Sequence, residues 1–293
     1  DPLPFMASEV ETPYTIYKRK TNMKITIIGT GNMGGAIARA LVAFSKYENA
    51  AGGQSVGISI LPSDITCTAR TAEALHRFAG LGFNVTSDNI AAVRDADIVI
   101  FAVKPWLMEE VVGEVAPYLN YERQVVASVA AGISFEQLTL WLGGSPAIFR
   151  IIPNTAIEVG SGVTFISSCN ASGAQRAMIA EMFSSMGYVL EVEEPMMAAG
   201  TALASCGIAY AMKYIQASAV GGEALGFSQE QACRIVEYTV KGAAQLLLTT
   251  GNPPQTEIDK VTTPGGMTQK GLAAMEDAGF SEAVCEGLGA CLK

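Results

Sequence analysis

The chain has 293 residues, with 19 Lys and Arg against 28 Asp and Glu, a net charge of −9, 49% hydrophobic and only 16% charged residues. No run of basic residues offers a surface to nucleic acid or an anionic membrane, and no uncharged apolar stretch reaches the ~18 residues of a bilayer span. The length implies two domains, and so few charges on so apolar a chain imply that part of its surface is buried against another subunit.

Residues 1–22 lack the continuous apolar core of a signal peptide and read as a leader or added segment, with Met6 and Met23 as candidate starts. The run Ile25-Thr26-Ile27-Ile28 predicts a strand. Gly29-Thr30-Gly31-Asn32-Met33-Gly34 then leads into a helix from Met33 to about Tyr47, the context that a dinucleotide fingerprint requires. Gly29 permits the tight turn, Gly31 lets a pyrophosphate approach the backbone, and Gly34 lets helix and strand pack closely. The stretch from Glu48 to Ser55 has loop composition and reads as a surface excursion.

Strand-like runs recur at Ile65–Ala69, Asp97–Val103, Gln124–Val129, Ala147–Ile152 and Tyr188–Val192. Helical segments at Thr71–Ala79, Trp106–Tyr118 and Ser134–Leu142 separate them, which predicts βαβ units in one parallel sheet. Beyond Val192 the chain becomes two long small-residue-rich helical stretches, Met196–Leu225 and Ser228–Leu248, apolar over more than one face. The expected fold is therefore α/β, a Rossmann-type doubly wound domain over 23–193, followed by an all-α dimerisation domain over 194–293.

The second strand ends in Cys67-Thr68-Ala69-Arg70-Thr71, without the carboxylate that an NAD ribose prefers. Arg70 and Thr71 suit a 2′-phosphate instead, so NADPH is the expected cofactor, with NADH as the alternative. Lys104-Pro105 turns the chain at the sheet's carboxyl edge, where backbone groups can line the ribose. Ala131-Gly132 and Asn154 end the next two strands with small residues and an amide that suit a flat nicotinamide. The single histidine, His76, lies on a predicted surface helix, which removes the commonest general base. The six cysteines form no CxxC pair and have no histidine partners, so a metal site is not expected, and reduced thiols and a cytoplasmic home are.

The segment Asp259-Lys260-Val261-Thr262-Thr263-Pro264-Gly265-Gly266-Met267-Thr268 carries the most chemistry. Thr263 suits a helix N-cap and Pro264 the first helical position, while the glycines admit a ligand to N–H groups that the helix itself leaves unsatisfied. Thr268 adds a hydroxyl one turn in. With no imidazole, imine reduction fits: the nitrogen of a C=N bond arrives protonated near neutral pH and needs mainly to be positioned.

These residues resemble the pyrroline-5-carboxylate reductases over Met23 to about Leu288, through IIGTGNMGGAIARAL at 27–41, FAVKPW at 101–106, SVAAGIS at 128–134, RIIPNTA at 150–156, DKVTTPGGMT at 259–268 and GLAAME at 271–276. The resemblance implies reduction of 1-pyrroline-5-carboxylate to L-proline in a homodimer or higher homo-oligomer, the site lying between cofactor loop and helical domain. It implies that Thr268 bonds the substrate nitrogen, that Thr263, Gly265, Gly266 and Met267 hold the carboxylate, and that Glu194 lies on the substrate side. It also makes Asn89, Ala102, Val103, Lys104, Pro105 and Ala131 cofactor contacts. The chain departs from the family's Gly-Ser-Gly-Pro-Ala-Tyr at Ser205-Cys206-Gly207-Ile208-Ala209-Tyr210, has Thr263 for the common serine and Lys260 for an asparagine, and has a longer loop at 46–57. Two alternatives stay open: reduction of another small cyclic imine or oxidation of a hydroxy acid, for which Lys213 is the one placed lysine, and a cofactor-binding regulator without turnover.

Overall fold

A computed structural model describes residues 23–45 and 59–292. The expected leader at 1–22 and the excursion at 46–57 fall outside the described residues. The chain divides into two compact units, one ending at Thr201 and one running from Ala202.

The first unit alternates strand and helix as β1 (Ile25–Ile28), α1 (Asn32–Phe44), β2 (Ile65–Thr68), α2 (Ala72–Ala79), β3 (Asn84–Thr86), α3 (Asn89–Val93), β4 (Ile98–Phe101), α4 (Met108–Val115), β5 (Val125–Ser128), α5 (Phe135–Leu142), β6 (Ala147–Pro153), β7 (Gly162–Cys169), α6 (Gly173–Ser184), β8 (Gly187–Glu191) and α7 (Met196–Gly200). One eight-stranded sheet has the order β3-β2-β1-β4-β5-β6-β7-β8. Because β1 lies between β2 and β4, the crossovers reverse direction there, and the carboxyl ends of β1 and β4 open on a topological switch point.

The sheet departs from the expected all-parallel form, since β7 runs antiparallel to β6. A short 3-10 turn, Thr155–Val159, closes that hairpin, so no helix separates the two strands. Neither β7 nor the three-residue β3 is among the predicted strands. The expected helix from Trp106 to Tyr118 is α4 flanked by 3-10 turns at Pro105–Leu107 and Ala116–Tyr118, where prolines at 105 and 117 supply no N–H.

Alternation along the strands divides the core into two layers. Ile25, Ile27, Cys67, Ile98, Ile100 and Phe149 pack against α1, α2 and α6, while Ile28, Val99, Phe101, Val126 and Ile148 pack against α3, α4 and α5. Burial on both faces explains the near-continuous apolar strands.

The second unit is all helix. A π-helical turn, Thr201–Cys206, interrupts what reads in sequence as one helix from Met196, and leads into α8 (Gly207–Ala224). Ile208 keeps the N–H that a proline would lack, so the backbone passes from the widened turn into α8 without a break. α9 (Gln229–Thr250), α10 (Pro254–Lys260), α11 (Met267–Asp277) and α12 (Phe280–Ala290) follow. Gly222 lets α8 approach Ala232 of α9, and the Tyr214 ring meets Phe280 edge-on at 6.4 Å. Among the described residues of this unit the buried apolar side chains are Ala202, Ala219 and Ala232, whereas Leu225 is 83% and Leu248 82% exposed. Apolar exposure on that scale marks an interaction surface. No helix among the described residues is long and apolar enough to cross a membrane.

Gly34 sets how closely α1 sits on the sheet: a Cβ there would overlap the Gly29 carbonyl oxygen and come within 2.8 Å of the Ala102 Cβ. Gly34→Ala is expected to cost about 1–3 kcal/mol of stability by overpacking and to weaken dinucleotide binding, measured by urea unfolding and fluorescence titration. Unchanged stability and affinity would contradict this packing.

Candidate active site

The cofactor loop begins at Gly29, whose φ of +94° belongs to the left-handed region that favours glycine. Its N–H donates to the Thr68 carbonyl at 3.2 Å, and the Thr30 N–H and hydroxyl donate to the same oxygen at 3.1 Å each. The loop is thereby tied to the end of β2. Gly31 is the N-cap of α1 and offers no side-chain acceptor. The first intrahelical bond runs from Gly35 N to Gly31 O at 2.9 Å, leaving the N–H groups of Asn32, Met33 and Gly34 without a helical acceptor. A Cβ built on Gly31 meets nothing within 4 Å among the described residues. The protein alone does not demand glycine there, and the open space lies over a helix N-terminus, which fits phosphate oxygens.

Arg70 and Thr71 continue directly from β2 on the exposed surface. The Thr71 hydroxyl caps α2 by accepting from Ala74 N at 3.3 Å, so its hydrogen remains available to an anion. Ala102 and Val103 leave β4 beside the loop, Ala102 N donating to Ile28 O at 2.8 Å, and Lys104 precedes the 3-10 turn that Pro105 opens. Ala131 and Gly132 are exposed in the loop after β5, where Gly132 has φ +78°. The structure thus brings Gly29, Gly31, Asn32, Met33, Gly34, Arg70, Thr71, Ala102, Val103, Lys104, Pro105, Ala131 and Gly132 to the carboxyl ends of β2, β1, β4 and β5.

Two expected cofactor residues have other work. Asn89 opens α3, beyond β3, and its Nδ2 donates to Glu114 Oε2 at 2.9 Å. Asn154 is buried, and its Oδ1 accepts from Ala156 N and Val163 N at 3.2 Å each, shaping the β6–β7 connection.

Glu194 is likewise engaged within the first unit. Its Oε1 accepts from Arg150 Nη1 at 2.7 Å and from Phe135 N at 2.7 Å. Arg150 lies in the middle of β6 with its side chain 10% exposed, and its Nε has no partner. This pair fastens the segment before α7 to the sheet and to the end of the Ala131-Gly132 loop. Arg150 was missed in the sequence, where a lone arginine in an apolar strand points to no partner 44 residues away. Removing Glu194 strands a buried guanidinium: Glu194→Ala should lower stability by about 3 kcal/mol, the low end for a broken buried pair because Glu194 is a third exposed. In urea unfolding the double variant Arg150→Met/Glu194→Leu should lose less than Glu194→Ala. A larger loss in the double variant would show that the pair is not what makes the single change costly.

In the second unit, the polar cradle differs from its expected form. Thr263 is not an N-cap and Pro264 is not helical: residues 263–266 form a turn closed by Gly266 N to Thr263 O at 2.9 Å, with Pro264 second and Gly265 third at φ +71°. That is a type II turn, which proline and glycine favour in those places as strongly as proline favours a helix start. Helix α11 begins at Met267 with Gly266 as N-cap and no side-chain cap. A Cβ on Gly266 would collide with the Thr263 hydroxyl. Gly265 N donates to Gln269 Oε1 at 2.6 Å, so neither glycine N–H is open. The N–H groups that lack a helical acceptor are those of Met267, Thr268 and Gln269, since the first helical bond is Lys270 N to Gly266 O at 3.3 Å. Met267, 91% exposed, and Thr268 face solvent in the first turn.

Lys260 Nζ bonds Glu257 Oε1 at 2.8 Å and Lys213 Nζ bonds Gln216 Oε1 at 2.9 Å, both on exposed helix surface. His76 is exposed on α2, and burial pushes the Cys67 thiol up to about 12. The altered segment brings Cys206, Tyr210 and Cys291 together, and a hydrogen bond with Cys291, followed by burial, raises the Tyr210 hydroxyl to about 12.

A switch-point dinucleotide loop on one unit and an unfilled helix start with a hydroxyl on a helical unit define a two-domain nicotinamide-dependent oxidoreductase. Comparison with known proteins narrows the class. Residues 194–293 match the family model described as pyrroline-5-carboxylate reductase dimerisation, and 24–132 match that described as NADP oxidoreductase, coenzyme F420-dependent. The pyrroline-5-carboxylate reductase of Aquifex aeolicus is 35% identical over 265 residues, which cover 90% of this chain and 93% of that one. Pyrroline-5-carboxylate reductase 1 of Dictyostelium discoideum is 33% identical over 276 residues, covering 90% of this chain, which spans about half (48%) of that protein's length. The crystal structure of Plasmodium falciparum pyrroline carboxylate reductase with NADP bound superposes with a TM-score of 0.80 at 25% identity, covering 93% of this chain and 96% of that one. The chain belongs to the pyrroline-5-carboxylate reductase family.

Proposed function

We propose that this chain reduces the C=N bond of 1-pyrroline-5-carboxylate to give L-proline, the last step of proline biosynthesis, with NADPH as the preferred reductant and NADH as the alternative. The observation that carries this reading is the start of α11, where a type II turn delivers three backbone N–H groups and the Thr268 hydroxyl to one exposed helix terminus. A substrate carboxylate fits the N–H groups of Met267, Thr268 and Gln269, with the Thr263 hydroxyl beside them and the helix dipole favouring its charge. The Thr268 hydroxyl then accepts from the protonated ring nitrogen and fixes the imine carbon's orientation. NADPH, when bound, supplies the hydride. Glu194, through Arg150 and Phe135 N, holds the loop that carries Ala131 and Gly132. No imidazole is needed, because the electrophile arrives activated.

Arg70 and the Thr71 hydroxyl are the groups we assign to the 2′-phosphate. We take the domains as 23–193 and 194–293, the second in a homodimer or higher homo-oligomer through the apolar surface of α8 and α9. The exposed leucines and the dimerisation model support that assembly. The six free cysteines support a reducing, cytoplasmic setting.

Two substitutions test the assignments. Thr268→Ala should lower kcat/KM at least tenfold, about 1.4 kcal/mol of transition-state stabilisation, while Thr268→Ser keeps most of the activity; a smaller loss in the alanine variant removes Thr268 from its role. Arg70→Ala should raise the KM for NADPH about tenfold or more, as expected for one charge-assisted hydrogen bond, and leave that for NADH unchanged. An equal effect on both cofactors would place the 2′-phosphate elsewhere.

A further inference from the structure

The residues at which this chain departs from its family include a thiol that the proposed reaction does not use. Cys206 closes the π-helical turn before α8, and Cys291 lies just past α12, at the other end of the helical unit. Cys206 and Tyr210 lie one turn apart on the same face at the entry to α8. The Tyr210 oxygen lies 2.8 Å from Cys291 Sγ, and the same hydroxyl is 3.0 Å from Gly287 O. Cys291 Sγ also lies 3.5 Å from Gly287 O, so the thiol is seated against Tyr210, one helical turn from Cys206. Cys291 is exposed and Cys206 half-buried. An accessible thiol seated one helical turn from a second, half-buried thiol is placed as an attacking cysteine beside a resolving one.

We propose that Cys206 and Cys291 form a reversible redox pair, oxidised to a disulfide by a small dialkyl disulfide such as oxidised glutathione, which locks the first turn of α8 to the end of α12. The Cys291 thiolate attacks one sulfur of RS–SR, releasing RS⁻ and forming the mixed disulfide Cys291–S–SR. Cys206 Sγ, as thiolate, attacks Cys291 Sγ, forming Cys206–S–S–Cys291 and releasing the second RS⁻. The two protons lost by the cysteines go to the two RS⁻ groups, so the pair gives up two electrons and the oxidant gains two. Proximity to Cys291, and then burial, hold the Cys206 thiol above the usual range, which assigns first attack to the exposed Cys291. The crosslink closes a loop spanning nearly the whole helical unit, which constrains its unfolded state. The inference stands on the placing of both cysteines about Tyr210 and is independent of the reaction proposed above.

The test uses the full chain incubated with oxidised glutathione, alkylated, and mapped by peptide mass, with circular dichroism as the folding control. Two of the six cysteines should resist alkylation, Cys206 and Cys291 should appear as one linked peptide pair, and dithiothreitol should restore both. The oxidised protein should melt at least ~5 °C higher. Cys206→Ser should stop at a glutathione adduct on Cys291, and Cys291→Ser should remove the crosslink. Six alkylatable thiols after oxidation of folded protein would overturn the proposal. So would a link through other cysteines or between two chains, or separate adducts persisting on Cys206 and Cys291.

Discussion

Three helices begin on glycine with no side chain to cap their first N–H groups, and the chemistry of the chain depends on two of them, α1 and α11. At five other helices the deficit is closed from within: Thr71, Asp88, Ser134, Ser172 and Ser228 each cap a helix by accepting from a backbone N–H three residues on. Gly31 and Gly266 leave α1 and α11 uncapped. An unsatisfied, positively polarised helix start is a standing site for an anion. One such start suits a dinucleotide's phosphates and the other a substrate carboxylate. The residues around each terminus hold it in shape.

The holding is done by ordinary interactions used at specific points. Thr68 ties the Gly29 turn to β2, and Gly34 lets α1 lie against Ala102. Gln269 turns back to take the Gly265 N–H, which fixes the turn and directs the remaining donors outward. Glu194 accepts from Arg150 and the Phe135 N–H, a fastening between the sheet and the segment that precedes α7.

Much of this was legible in the sequence because the signals are local. The strand, the glycines of Gly29–Gly34 and the following helix lie within a score of residues, and the missing carboxylate after β2 can be read from five letters. What failed was local ambiguity or long range. Thr-Pro-Gly-Gly satisfies the preferences of a helix start and of a type II turn equally, and only the φ of Gly265 decides between them. β7 was hidden because it follows β6 through a short turn and runs antiparallel, where the βαβ rhythm predicts a helix. The partners of Glu194, and the meeting of Tyr210 with Cys291, join segments far apart in the chain, which no periodicity records.

The central claim is that the chain moves a hydride from NADPH to a cyclic imine whose carboxylate is held at the start of α11. The most direct measurement follows loss of the reduced-nicotinamide absorbance on mixing the full chain with 1-pyrroline-5-carboxylate, with NADPH and NADH in parallel and proline identified as product. The account predicts rapid oxidation with stoichiometric proline, faster at limiting NADPH than at limiting NADH. Folded protein that binds NADPH yet forms no proline with either cofactor would contradict it.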